Sequence, residues 1–213
     1  MPGDWELDAG LLEAWRGGDD RAGERLFNRH ADAVARFFEN KLPEGVDDLI
    51  QSTFLRMIEG RERIREGVAF RAFVLGIARN VLREHLRGLI RDRQVNPHVD
   101  SMATLLPGPS TIAGDRQEQR LLLEALRRLS IDDQVILELF YWEGLKGVEI
   151  AAVMDIPAST ARSRLERARE QLGKTMAAIA ASPDLLRSTL EGLDGWAARL
   201  RGRLGPLLDR PLS

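Results

Sequence analysis

Between Leu26 and Phe38 the apolar residues Leu26, Phe27, Ala33, Val34, Phe37 and Phe38 return every three or four positions, which predicts the buried stripe of an α-helix. Pro43 and Gly45 interrupt the pattern, and Asp47 is placed to cap a second helix whose stripe is Ile50, Phe54, Met57 and Ile58. Gly60 closes that helix, and the polar run from Arg61 to Gly67 predicts a loop. A third helix follows, with Phe70, Phe73, Val74, Ile77, Val81 and Leu82 on one side and Arg71, Arg79 and Arg83 elsewhere on its surface. Together these elements predict a helical domain over residues 10–93.

From Gln94 to Gln117 the periodicity vanishes while Pro97, Pro107, Gly108, Pro109, Ser110 and Gly114 accumulate. Residues 94–117 therefore predict a flexible linker rather than a buried element. Helical pattern returns with Leu121, Leu122, Ala125, Leu126 and Leu129, and Ser130 offers a fresh cap for the run from Val135 to Tyr141. The second domain spans residues 118–174. Beyond it lies a C-terminal extension, 175–213, where Leu186, Leu190, Leu193, Ala197, Leu200 and Leu204 mark an amphipathic stripe with Trp196 alongside. Gly192, Gly195, Gly202 and Gly205 weaken that helix in isolation, so it needs a surface to pack on. Two readings of the extension stay open: a cap that stabilises its own domains, or a regulatory segment.

Composition fixes the class. The chain has 32 Leu and 23 Ala against 10 Val and 6 Thr, which favours helix formers over the β-branched residues that fill strands. The expected fold is all-α: two small helical domains joined by a flexible linker, the second with a helix-turn-helix, plus a helical C-terminal extension. The absence of cysteine rules out disulfides and thiolate metal sites. His30, His85 and His98 are scattered, Glu84-His85 lacks a second histidine, and there is no glycine-rich phosphate loop, so no enzyme activity, metal or cofactor is expected. Apolar runs such as Met176 to Ala181 fall far short of the roughly 18 residues that cross a bilayer. The Met-Pro-Gly-Asp-Trp-Glu start lacks the basic-then-apolar order of a signal peptide, so a cytoplasmic protein without membrane insertion is expected.

The formal net charge of -2 conceals an uneven distribution. Residues 1–50 carry net -6, 51–93 carry +5, 94–157 carry -5 and 158–174 carry +3. Two basic segments separated by acidic ones suit a protein that grips a polyanion at two points, or two solvated arginine-rich faces.

The second basic segment has helix-turn-helix grammar. A short helix from Val148 to Met154 turns at Asp155-Ile156-Pro157 into another that starts near Ser159, and Ala151 is small enough to let the two approach closely. Ser159 and Thr160 offer a cap and hydroxyls near phosphate. Arg162, Ser163, Arg164, Arg167 and Arg169 offer donors for phosphates and guanine edges.

Two stretches, Asp47 to Glu59 followed by Phe70 to Gly88, and Leu126 to Leu172, resemble regions two and four of the sigma-70 family of RNA polymerase sigma factors, in its compact extracytoplasmic-function group. The resemblance covers roughly residues 10–174 and implies a transcription initiation factor whose partners are core RNA polymerase and promoter DNA. It leaves an anti-sigma factor open as a further partner. By resemblance, Asp48, Leu49, Gln51, Phe54, Leu55 and Arg56 dock on the polymerase, with at least one of Phe54 and Leu55 also a candidate core residue. The loop Arg61 to Ala69 and the helix after it would read the minus-ten element as unpaired DNA, with Arg63, Arg65, Arg71, Arg79 and Arg83 supplying charge and Asn80 an edge-reading amide. Phe73 stands where the family often carries Trp, and both core and stacking roles stay open.

Ser159, Thr160, Arg162, Ser163, Arg164, Glu166 and Arg167 would read the minus-thirty-five duplex. Glu166 either accepts from a cytosine amino group or faces solvent. Asp155 takes a turn position where the family commonly has Gly, and Asp tolerates the left-handed conformation better than most residues. The alternative function is a helix-turn-helix regulator that works without polymerase.

Overall fold

The computed structural model describes residues 4–64, 70–89, 95–106 and 116–192. Helices α1 (Asp4–Arg16) and α2 (Asp20–Glu39) form a hairpin, and Asp19 caps α2 by accepting from the backbone N–H groups of Arg21 and Ala22. Their approach is close: a Cβ on Gly23 would fall 2.6 Å from the Trp15 indole nitrogen, so only glycine lets the ring reach the backbone of α2. Helix α3 (Val46–Gly60) is capped not by Asp47 but by Gly45, whose φ of +74° suits glycine. Asp47 and Asp48 lie instead in the first turn, where carboxylates face the positive end of the helix.

A 3-10 turn (Arg61–Arg63) follows α3, and α4 (Phe70–Leu89) completes the domain. Arg16 at the end of α1 donates to the carbonyls of Arg61 at 3.0 and 3.2 Å and of Ile64 at 2.7 Å. Leu26, Val34, Phe38, Leu75 and Leu82 are fully enclosed in the core.

Part of the 94–117 segment is packed, contrary to the expectation of a free linker. Ser101 caps the single turn α5 (Met102–Leu105), in which Met102 is fully buried. Backbone N–H groups of Ile131 and Asp132 donate to the carbonyls of Asp100 (2.9 Å) and Pro97 (3.0 Å), tying this stretch to the second domain. One capped turn is too short for periodicity to reveal. Residues 107–115 lie outside the described residues.

The second domain holds α6 (Gln117–Arg128), α7 (Ile131–Tyr141), α8 (Gly147–Met154) and α9 (Ala158–Ile179). Ser130 caps α7 as expected, accepting from the N–H of Asp133 at 3.2 Å. Of the extension, α10 (Pro183–Glu191) is capped by Ser182 and packs on α6 and α9, with Thr189 fully buried. The rest of the amphipathic stripe, including Trp196, lies outside the described residues. The two domains pack on each other, α4 against α8, and one apolar cluster runs through both.

Candidate nucleic-acid interface

Helix α8 opens where the Glu149 carboxylate accepts from the N–H of Lys146 at 2.7 Å, and it ends at Asp155 in the left-handed region (φ 54°, ψ 51°). The turn thus survives without glycine. Ala151 and Ala161 are buried where α8 and α9 meet, and both are small enough for close contact. Ser159 and Thr160 do not cap α9. Pro157 holds the cap position with no side-chain hydrogen bond, and both hydroxyl residues sit inside the first turn.

Ser159, Arg162, Ser163, Glu166 and Arg167 are exposed and recur at three- and four-residue steps, so they share the outward face of α9. Thr160 is half-buried beside them. Glu166 faces solvent between Arg162 and Arg167. Two arginines are used otherwise: Arg169 stacks 4.3 Å over the Phe140 ring, and Arg164 turns inward to Asp132 and His98.

Three arginines of α4, Arg71, Arg79 and Arg83, are engaged by carboxylates, while Arg87 is exposed. Arg71 pairs with Glu143 of the second domain, which also takes a bidentate pair from Arg36, each bond 3.2 Å. Asp132, at the start of α7, receives Arg79 at 3.3 Å, Arg83 at 3.5 Å, Arg164 at 3.5 Å and His98 at 2.6 Å. Burial lowers the Arg79 guanidinium below its ordinary pKa; Asp132 opposes that, and Arg83 adds to it.

A cleft of about 610 Å³ separates α4 from the helix-turn-helix here, lined by Phe73, Ile77, Asn80 and Arg83 on one wall and by Ile156 and Arg164 on the other. Phe73 is half-buried, packed on the core and against Gly60 while still lining the cleft, so both of its expected roles remain physically available. Asn80 is exposed. The side chain of Arg63 and all of Arg65 lie outside the described residues.

On α3, Leu49 and Phe54 are buried, which removes them as direct contacts; Phe54 stacks on Phe27 with centroids 4.1 Å apart. Asp48, Gln51 and Leu55 are exposed, and Arg56 is exposed while paired with Glu84 through two hydrogen bonds of 2.9 and 2.6 Å. Leu55 (54% exposed), Ile58 (47%) and Phe27 (36%) give the outer surface an apolar character; Phe27 and Ile58, expected in the buried stripes of α2 and α3, instead lie one step off the faces that turn to the core.

A helix-turn-helix with a polar recognition face, set beside a separate arginine-bearing helical domain, defines a two-domain DNA-binding factor. Family models describing sigma-70 region 2 and sigma-70 region 4 match residues 26–91 and 119–172. The chain is 34% identical over 164 residues to the RNA polymerase sigma factor CarQ of Myxococcus xanthus, covering 76% of this chain and 92% of that protein. It is 27% identical over 176 residues to the ECF RNA polymerase sigma-E factor of Escherichia coli K12, covering 78% and 92%.

Two solved structures share the fold. One is CnrH in complex with the cytosolic domain of CnrY (TM-score 0.57, 23% identity, 83% of this chain and 99% of that one). The other is the sigma factor RpoE of Bartonella quintana in complex with the anti-sigma factor NepR (TM-score 0.55, 21% identity, 73% and 97%). The chain belongs to the sigma-70 family, in its extracytoplasmic-function group. Sigma factors of this family are transcription initiation factors rather than enzymes, and among the described residues no helix is long and apolar enough to cross a membrane.

Proposed function

We propose that this alternative sigma factor, which binds core RNA polymerase and directs it to specific promoters, divides promoter reading between its two domains at named residues. Ser159, Thr160, Arg162, Ser163, Glu166 and Arg167 meet the minus-thirty-five duplex, with the exposed arginines on phosphates and base edges. Arg71, Phe73, Arg79, Asn80 and Arg83 of α4, with Arg63 and Arg65 before it, hold the minus-ten element as an unpaired strand. Asp48, Gln51, Leu55 and Arg56 of α3 dock on the polymerase. Arg164 joins the duplex contacts only after it leaves Asp132.

The observation that supports this reading best is the exposed polar face on the first turns of α9, directly after a helix-turn-helix turn. The match of region two over residues 26–91 disfavours a regulator that works without polymerase, since such a protein has no need of that domain. A cytoplasmic location, the absence of catalysis by this chain, and control by an anti-sigma protein complete the proposal. The last draws on the partners named with the two similar structures.

Run-off transcription with core polymerase on a genomic promoter library tests it. Start sites that appear only with this protein, and that vanish with a variant altered at both Arg162 and Arg167, are expected. No factor-dependent start site would sink the proposal.

A further inference from the structure

Helix α4 ends at Leu89, and from Pro97 the chain is already fastened to the second domain. The carbonyls of Pro97 and Asp100 accept from the N–H groups of Asp132 (3.0 Å) and Ile131 (2.9 Å), the first donors of α7, which a helix leaves without partners of its own. Ser101 forms an antiparallel bridge with Ser130, Met102 is fully buried, and Arg127 donates to the Leu106 carbonyl at 2.7 Å. His98 meets Asp132 at 2.6 Å and Arg164 of α9 at 3.3 Å.

This fastening leaves a short tether between the domains. Asn80 lies nine residues before Leu89, about 14 Å of helix. The seven residues from 90 to 96 span about 28 Å at full extension. His98 touches Arg164, so the recognition face of α9 lies at most about 20 Å further on. The reading residues of the two domains thus stand no more than about 60 Å apart while the stretch is held. The minus-ten and minus-thirty-five elements are named for positions about 25 base pairs apart, or about 85 Å of duplex. The held chain is too short.

We propose that residues 97–106 are a releasable clip, which leaves α7 when the chain reads both promoter elements at once and so turns a short tether into a long one. This rests on the division of promoter reading between the two domains. Released, the chain from 90 to 116 numbers 27 residues and reaches roughly 90–100 Å at full extension. The holding contacts suit release: one fully enclosed apolar side chain, Met102, and backbone groups of α7 that water can satisfy. Release also takes His98 from Arg164 and leaves Asp132 as its remaining hold, one step nearer to the duplex.

A reversible cross-link on the full chain tests it. Opposed residues of an antiparallel bridge have Cα atoms about 4.5–5.5 Å apart, within disulfide range, and the chain has no other thiol. Oxidised Ser101→Cys/Ser130→Cys should bind core polymerase as wild type does while run-off transcription falls at least tenfold, and dithiothreitol should restore it. A spacer of about 20 Gly/Ser residues inserted between Arg93 and Gln94 should restore transcription to the oxidised chain without reduction, because length alone is missing. Full transcription by the oxidised chain, or no rescue by the spacer, overturns the proposal.

If the cysteines disturb folding, hydrogen exchange on the unaltered protein decides. The amides of Ile131 and Asp132 should be protected in the free chain and lose that protection in the complex with polymerase and promoter; protection retained there overturns the proposal. Absence of transcription from wild type would instead strike the functional reading.

Discussion

Lys41 and Glu138 form a fully enclosed ion pair across the seam between the domains, with side-chain exposures of 0% and 4%. Lys41 also donates to the Phe37 carbonyl at 2.7 Å and sits 3.9 Å above the Phe37 ring, while Gln134 donates to the other Glu138 oxygen at 2.9 Å. Burial pushes the Lys41 ammonium down and the Glu138 carboxyl up, and each partner resists the other's shift. Removing one partner strands a buried charge. Lys41→Met should lower unfolding free energy by about 3–5 kcal/mol, whereas Lys41→Met/Glu138→Leu should recover most of the loss. Urea unfolding of the two variants checks this; equal destabilisation would show that the pair itself stabilises the seam.

Asp8 tests the N-terminal hairpin by pH. Burial raises its pKa, but the hydrogen bonds and charges of His30 (2.8 Å) and Arg29 (2.7 Å) outweigh that and hold it below the ordinary aspartate value. A depressed folded pKa contributes stability that is fully present above the unfolded value, near about 3.9, and is lost as pH falls through the lower folded one. The gap in urea midpoint between wild type and Asp8→Asn should therefore be constant near neutrality and close below about pH 4. A gap independent of pH down to unfolding would remove Asp8 as the cause.

The two faces of α3 should respond oppositely to substitution. Phe54→Ala deletes a core ring stacked on Phe27 and should cost about 3–5 kcal/mol of stability. Leu55→Asp, on the exposed face, should leave stability within about 0.5 kcal/mol while weakening binding to core polymerase. Competition for labelled polymerase, alongside thermal melts, separates the two effects.

Arg162 and Arg167 are the exposed arginines at the start of α9. Arg162→Ala should cost about 1–3 kcal/mol on the preferred minus-thirty-five sequence if it reads a base edge, with relaxed preference at one position. If it touches phosphate alone, all sequences weaken together and the salt slope falls by about 0.9. Binding titrations on matched and mismatched duplexes at several salt concentrations distinguish these outcomes.

Asp155 stores a small strain in the helix-turn-helix turn. It is the single described non-glycine residue with positive φ, and it is exposed. Asp155→Gly should raise stability by about 0.5–1 kcal/mol without altering promoter preference. A destabilised variant would mean that the Asp side chain contributes more to the turn than its backbone costs.

Much of this architecture is written in periodicity and punctuation. The stripes of α2, α3, α4 and α6, the Ser130 cap and the left-handed Asp155 follow from residue spacing and turn chemistry, because each depends on neighbours within a turn or two. The cap of α3 was misassigned because Asp47 has the right side chain but Gly45 has the backbone freedom that the entry to the helix requires. Charge was legible only in bulk. That Glu143 would meet Arg36 and Arg71, 107 and 72 positions away, depends on how the domains pack, which no local pattern encodes. Phe54 lies in the core as its place in the stripe allowed, whereas Leu49, which only the resemblance singled out, is buried although the stripe did not include it.

A missing methyl group on α2 sets the geometry at the far end of α3. Any side chain at Gly23 would push the Trp15 indole, and α1 with it, off the domain. The next residue, Arg16, is the clamp that holds the carbonyls of Arg61 and Ile64, where the chain leaves α3. Helix α1 thus acts as a strut: an N-terminal piece outside the matched family segment governs the path of the chain at Arg61 and Ile64.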